Sequence, residues 1–111
     1  MTKHDIKTID VHELKNRMDA HPDLCLIDVR EIDEWRDMRI PGALHIPKDE
    51  ISVKINDSIT DKSKPVYLHC RGGVRSLYAA QSLMDIGYQD VYSVDGGIME
   101  WAMFGYPVEQ E

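Results

Sequence analysis

The 111-residue chain lacks any long apolar run; its longest uninterrupted stretches are four residues, such as Leu24 to Ile27. No segment could therefore cross a membrane as a helix. Aromatic residues make up only 7%, so the core must be mainly aliphatic. Positive charge is also scarce. Thirteen Lys and Arg against twenty Asp and Glu leave a formal net charge of −7. That charge repels nucleic acid and anionic lipid at long range, which argues against both as partners. Only two cysteines are present, Cys25 and Cys70, and the N-terminus Met1-Thr2-Lys3-His4-Asp5 has no apolar signal region. A cytoplasmic protein with reduced thiols is the expectation. His4, His12, His21 and His45 show no metal-ligand spacing with cysteine, so no metal site is expected.

What is present is an alternation of strand and helix signals. Residues 1–111 are too few for two cores and contain no repeat or linker, which predicts a single domain. Residues 6–9 read as a strand. Asp10, with Glu13 three residues on, reads as a capping box opening a helix to about Met18. Leu24 to Val29 is a nearly continuous apolar run, the mark of a strand buried on both faces. Residues 31–38 read as a helix, 43–46 as a strand, and 48–62 as one or two short helices. Val66 to His69 reads as a strand. A helix follows over 75–86, with Leu77, Ala80, Leu83 and Met84 on one face. Val91 to Val94 reads as the last strand, and a short helix follows Gly96-Gly97. Met99, Trp101, Met103 and Phe104 are expected to cover the sheet, the alternative being an apolar patch that makes a small dimer contact. The class is α/β with a largely parallel sheet.

One segment carries chemistry: Leu68-His69-Cys70-Arg71-Gly72-Gly73-Val74-Arg75-Ser76. It joins a buried strand to a helix at the carboxyl edge of the sheet, where ligands bind in open α/β folds. Its glycines permit a tight turn with inward-facing amides. Those amides, the helix N-terminus, Arg71 and Arg75 all favour a Cys70 thiolate, the reactive form of the side chain. Cys25, inside an apolar run, reads as a core thiol, and His69 as structural. Asp28 and Arg30 read as an ion pair tying strand to helix, Trp35 as core volume, and Arg39 as a surface residue.

The chain resembles the small single-domain members of the rhodanese family of sulfurtransferases. Three motifs carry the resemblance in register. The first is Asp28-Val29-Arg30-Glu31, Glu34-Trp35, Ile40-Pro41-Gly42-Ala43 and Ile46-Pro47; the second is Cys70 to Ser76. The third is Asp95-Gly96-Gly97-Ile98, Trp101, Gly105 and Pro107-Val108. Met38-Arg39 stands where the family often has Gly-His. The resemblance implies one rhodanese-like domain with a five-stranded, mostly parallel sheet flanked by helices. It implies that Cys70 takes sulfane sulfur from thiosulfate or a similar donor, carries it as a persulfide, and passes it to cyanide, a thiol or a protein acceptor. It also implies that no organic cofactor is needed. Arg71, Gly72, Gly73, Val74 and Arg75 are then expected to hold the sulfur and the donor. Asp28 is expected to orient loop amides, with Arg30 beside it.

Two other readings share the motif. A sulfur-relay or regulatory module would use the same cysteine toward a protein partner. A cysteine phosphatase or arsenate reductase would also cradle an oxyanion with Cys, Gly and Arg. Phosphatases of this kind place five residues between cysteine and arginine, whereas four, Arg71 to Val74, separate Cys70 from Arg75 here. The turn is expected to be too tight for phosphate.

Overall fold

The computed structural model describes residues 6–110; Met1 to Asp5, His4 among them, and Glu111 lie outside the described residues. β1 spans Lys7–Ile9 and leads into α1, Val11–Ala20. Asp10 caps α1 by accepting the Glu13 amide at 2.8 Å. The expected capping box forms only by half, because Arg17 Nε engages the Glu13 carboxylate one turn on. β2 (Cys25–Asp28) and α2 (Ile32–Asp37) follow, then a two-residue β3 (Leu44–His45) cut short by Pro47. A 3₁₀ turn, Lys48–Glu50, runs into α3, Ile51–Ser58. The chain ends with β4 (Val66–His69), α4 (Val74–Asp85), β5 (Val91–Val94) and α5 (Gly97–Met103).

The five strands form one sheet in the order β1-β5-β4-β2-β3, and every pairing in it is parallel. Strand alternation sorts the core into two layers. Ile27, Val66, Leu68 and Cys70 pack with Ile55 of α3 and Leu83 of α4. Leu26 and Tyr67 pack on the other face with Leu14 of α1 and Trp101 of α5. From the neighbouring strands β2 and β4 the chain steps outward in opposite directions, β2 to β3 and β4 to β5. The carboxyl end of β4 therefore lies at the crevice where the winding reverses.

Three packing expectations need correction. The buried stripe of α4 is Ser76, Ala79, Ala80 and Leu83, whereas Leu77 is 38% exposed. Small residues line that stripe where the helix begins directly over the sheet. In α5 only Ile98 and Trp101 cover the sheet, while Met99, Met103 and Phe104 are exposed. A helix this short has one buried face. Arg39 is largely covered: it lies 5.1 Å over the Trp35 ring and donates to the Trp35 carbonyl. Trp35 itself is half-buried and packs against the core, with Arg39 and the His45 ring beside it.

At the carboxyl edge Asp28 and Arg30 form a buried pair, Nη2 to Oδ2 at 2.7 Å. Arg30 also donates to the Met38 carbonyl at the end of α2, so the pair ties β2 to that helix. The Asp28 carboxylate is spent on Arg30, accepting its backbone amide as well, and is not the support of the β4–α4 turn that the family resemblance implied. His69 lies beside Asp28 in register, fully buried, with Nε2 3.6 Å from Oδ2. The β4–α4 turn is anchored from the other side. Ile98 and Met99 of α5 donate their amides to the carbonyls of Cys70 and Arg71 at 2.9 and 3.1 Å. Gly97 makes this possible: it has φ +54°, and a Cβ there would sit 2.4 Å from both carbonyl oxygens.

Two outcomes follow from these contacts. Burial holds the His69 imidazole below its ordinary 6.5, outweighing the opposing pull of Asp28. The unfolded chain then binds a proton that the folded one refuses, so stability falls as pH drops below 6.5, by up to about 1.4 kcal/mol per unit from this group. Denaturant titrations at pH 7.5 and 5.5 should show that loss, and His69→Gln should remove its share of the slope. Gly97→Ala should destabilise the fold by about 2 kcal/mol or more, through strain at positive φ and the clash with two carbonyls, measured by thermal unfolding.

Candidate active site

Cys70 follows the last residue of β4, and four residues later α4 has begun. Gly73 makes so short a connection possible. It sits at the N-cap with φ +115°, a left-handed conformation that suits glycine. Its amide points at Cys70 Sγ from 3.1 Å, and the Ser76 amide in the first turn of α4 lies at 3.4 Å. The thiol is 1% exposed, so these donors act with little competition from water. An anionic sulfur at this position meets two N–H groups and the positive end of a twelve-residue helix.

Beneath the sulfur lies a hydroxyl pair that the sequence reading did not single out. Ser76 Oγ is 3.6 Å from Cys70 Sγ, donates to the Gly73 carbonyl at 3.1 Å, and lies 2.7 Å from Ser93 Oγ of β5. Both serines are fully buried. Ser93 carried a faint signal, as the one small polar residue in the otherwise apolar strand Val91–Val94. Ser76 lies one position beyond the loop residues expected to serve the sulfur.

The other expected residues occupy different positions. Gly72 and Val74 are exposed on the outside of the turn. Arg71 is exposed, with Nε 3.3 Å from Met99 Sδ, and its carbonyl is held by α5. Arg75 makes a two-pronged ion pair with Glu34 of α2, at 2.6 and 2.9 Å. That contact holds the Glu34 carboxyl down to about 2 and pushes the Arg75 guanidinium upward. Asp28 and Arg30 lie at the end of the neighbouring strand and bind each other. Of the residues named from sequence, the structure thus brings Gly73 onto Cys70, turns the Arg75 side chain onto Glu34 and leaves Asp28 and Arg30 as a buried strut.

Cys25 offers the contrast. It lies at the amino edge of the sheet, beside a groove of about 860 Å³ that Arg17, His21, Lys64 and Tyr67 also line. Burial pushes its thiol up to about 11, so it stays protonated at neutral pH. Cys70 and the residues of its turn do not line that groove.

Residues 10–104 match the Rhodanese-like domain family. The chain is 34% identical over 103 residues to a sulfurtransferase of Allochromatium vinosum, covering 93% of this chain and 94% of that protein. It is 34% identical over 79 residues to the thiosulfate sulfurtransferase GlpE of Coxiella burnetii, covering 71% of this chain and 72% of that one. A candidate sulfur carrier protein of Bacillus subtilis, YrkF, is 32% identical over 96 residues; the match covers 86% of this chain and about half, 51%, of YrkF. Among solved structures, a rhodanese-like domain protein from Staphylococcus aureus is similar with a TM-score of 0.82 at 33% identity, covering 96% of this chain and 99% of that one. With its parallel five-stranded sheet and a cysteine turn at the sheet's carboxyl edge, the chain belongs to the rhodanese-like domain family.

Proposed function

We propose that the protein is a thiosulfate sulfurtransferase that carries sulfane sulfur on Cys70. The observation that carries this reading is the pair of amides, from Gly73 and Ser76, directed at Cys70 Sγ. The thiolate attacks the outer sulfur of thiosulfate. The S–S bond of the donor breaks, its electron pair leaves with sulfite, and Cys70 becomes a persulfide. In the second displacement an acceptor nucleophile, cyanide or a thiol, takes the terminal sulfur and returns the Cys70 thiolate. Covalent storage divides one transfer into two substitutions at sulfur, neither needing a metal or an organic cofactor. The Arg75 guanidinium, at the start of α4, serves as the donor's oxyanion anchor, with Arg71 at the exposed rim. Gly72 and Val74 contribute backbone that shapes the turn.

The same chemistry serves a protein acceptor. Val74 and Met99, 66% and 54% exposed beside the turn, give a partner apolar surface next to the persulfide. A reaction that depends on a free thiol also suits a reducing cytoplasm.

Intact mass after incubation with thiosulfate should rise by one sulfur atom on Cys70, and cyanide should reverse the gain. Cys70→Ser should fold normally and gain nothing; turnover by that variant would refute the mechanism. Arg75→Ala should lower kcat/KM for thiosulfate by roughly ten- to a hundredfold, the scale of a hydrogen bond to a charged group. An unchanged rate would remove Arg75 from the donor site.

A further inference from the structure

The turn looks strongly cationic in sequence, with Arg30 near it and Arg71 and Arg75 within it, yet most of that charge is cancelled in the fold. Arg30 is bound by Asp28 and Arg75 by Glu34. Arg71, the third, has the Met99 sulfur against its Nε. The Glu34–Arg75 contact uses Nη1 and Nη2, the end-on face on which a guanidinium grips a carboxylate or sulfonate, in the fork geometry that makes such pairs strong and directional. Glu34 is fixed in turn, since its Oε1 also accepts the Glu31 amide at the start of α2. The pair is partly exposed, 32% for Arg75 and 28% for Glu34, so an anion arriving from solvent can reach it. Arg75 immediately precedes Ser76, whose amide is directed at Cys70 Sγ from 3.4 Å, so its side chain is rooted beside the sulfur.

Resting on the reading that the Cys70 turn receives the sulfur donor, we propose that Glu34 sets donor preference by occupying the anion-gripping face of Arg75. A donor with an oxyanion head, such as thiosulfate, must displace the Glu34 carboxylate to reach that face. A donor that presents only a terminal sulfur, such as a hydropersulfide, approaches Cys70 without breaking the pair. Glu34 thus narrows the advantage that an anionic donor would otherwise have at an arginine-bearing turn. Because Arg75 holds the Glu34 carboxyl down to about 2, this competitor stays charged throughout the working pH range.

The test uses Glu34→Gln, which keeps the oxygen that accepts the Glu31 amide while removing the charge. Sulfate, an inert dianion resembling the oxyanion end of thiosulfate, should protect Cys70 from alkylation by neutral iodoacetamide. In Glu34→Gln the half-protecting sulfate concentration should fall about three- to tenfold, because one competing charge-assisted contact is gone. The KM for thiosulfate should fall by a similar factor with kcat nearly unchanged, and sulfur uptake from a hydropersulfide with an uncharged side chain should change by less than about twofold. Adding Arg75→Gln should erase the gain, since the two residues act as one unit. An unchanged or higher half-protecting concentration in Glu34→Gln overturns the assignment. So does a gain that survives without Arg75, or sulfate that protects neither protein. The protection assay needs no sulfur transfer. A wild-type protein that takes sulfur from neither donor refutes the sulfurtransferase reading, and the sulfate comparison still decides the role of Glu34.

Discussion

The site depends on where two carbonyl groups point. Ile98 and Met99 at the start of α5 hold the carbonyls of Cys70 and Arg71. A peptide unit is planar, so turning its C=O toward α5 turns the attached N–H the other way. The amides of Arg71 and Gly72 are thereby aimed away from α5, and the chain can curl until Gly73 and Ser76 direct theirs at the sulfur. Gly97 lets the two segments approach this closely, and Gly73 lets the turn close at positive φ. Two glycines in separate motifs, one on each side of the contact, thus serve one geometric end.

Around this turn the molecule handles charge sparingly. Its formal charge is −7, and the arginines at the carboxyl edge are largely matched by carboxylates from β2 and α2. The stabilisation offered to Cys70 comes at shortest range from neutral N–H dipoles and a helix end. Such dipoles are oriented by backbone that is already fixed, so they need no reorganisation when the sulfur gains or loses charge. The Asp28–Arg30 pair works on the scaffold: it joins β2 to the end of α2, the helix that presents Glu34. His69, neutral and buried beside Asp28, completes a packed base under the site.

Much of the fold was legible because its signals are local. The apolar runs of β4 and β5 and the cap at Asp10 need only neighbours in sequence to be recognised. The active turn was legible for the same reason, since cysteine, glycines and helix start are consecutive. The errors were also local in origin. Periodicity placed Leu77 on the buried face of α4, but the stripe is set by the contact of Ser76 with Cys70 and β5. The Asp28–Arg30 pair was legible from a spacing of two residues, whereas the support of the turn that the resemblance implied for Asp28 is not among its hydrogen bonds.

The sequence by itself therefore determined the α/β class, the cysteine turn and the glycines that shape it, because each follows from residue type and spacing along the chain. Only the tertiary structure decided the strand order, the hydroxyl pair under the sulfur and the partner of Arg75. Ser76 meets Ser93 across 17 residues, and Glu34 meets Arg75 across 41. Nothing in local spacing encodes that Arg75 will find Glu34, because that choice depends on which helix the sheet brings alongside the crevice.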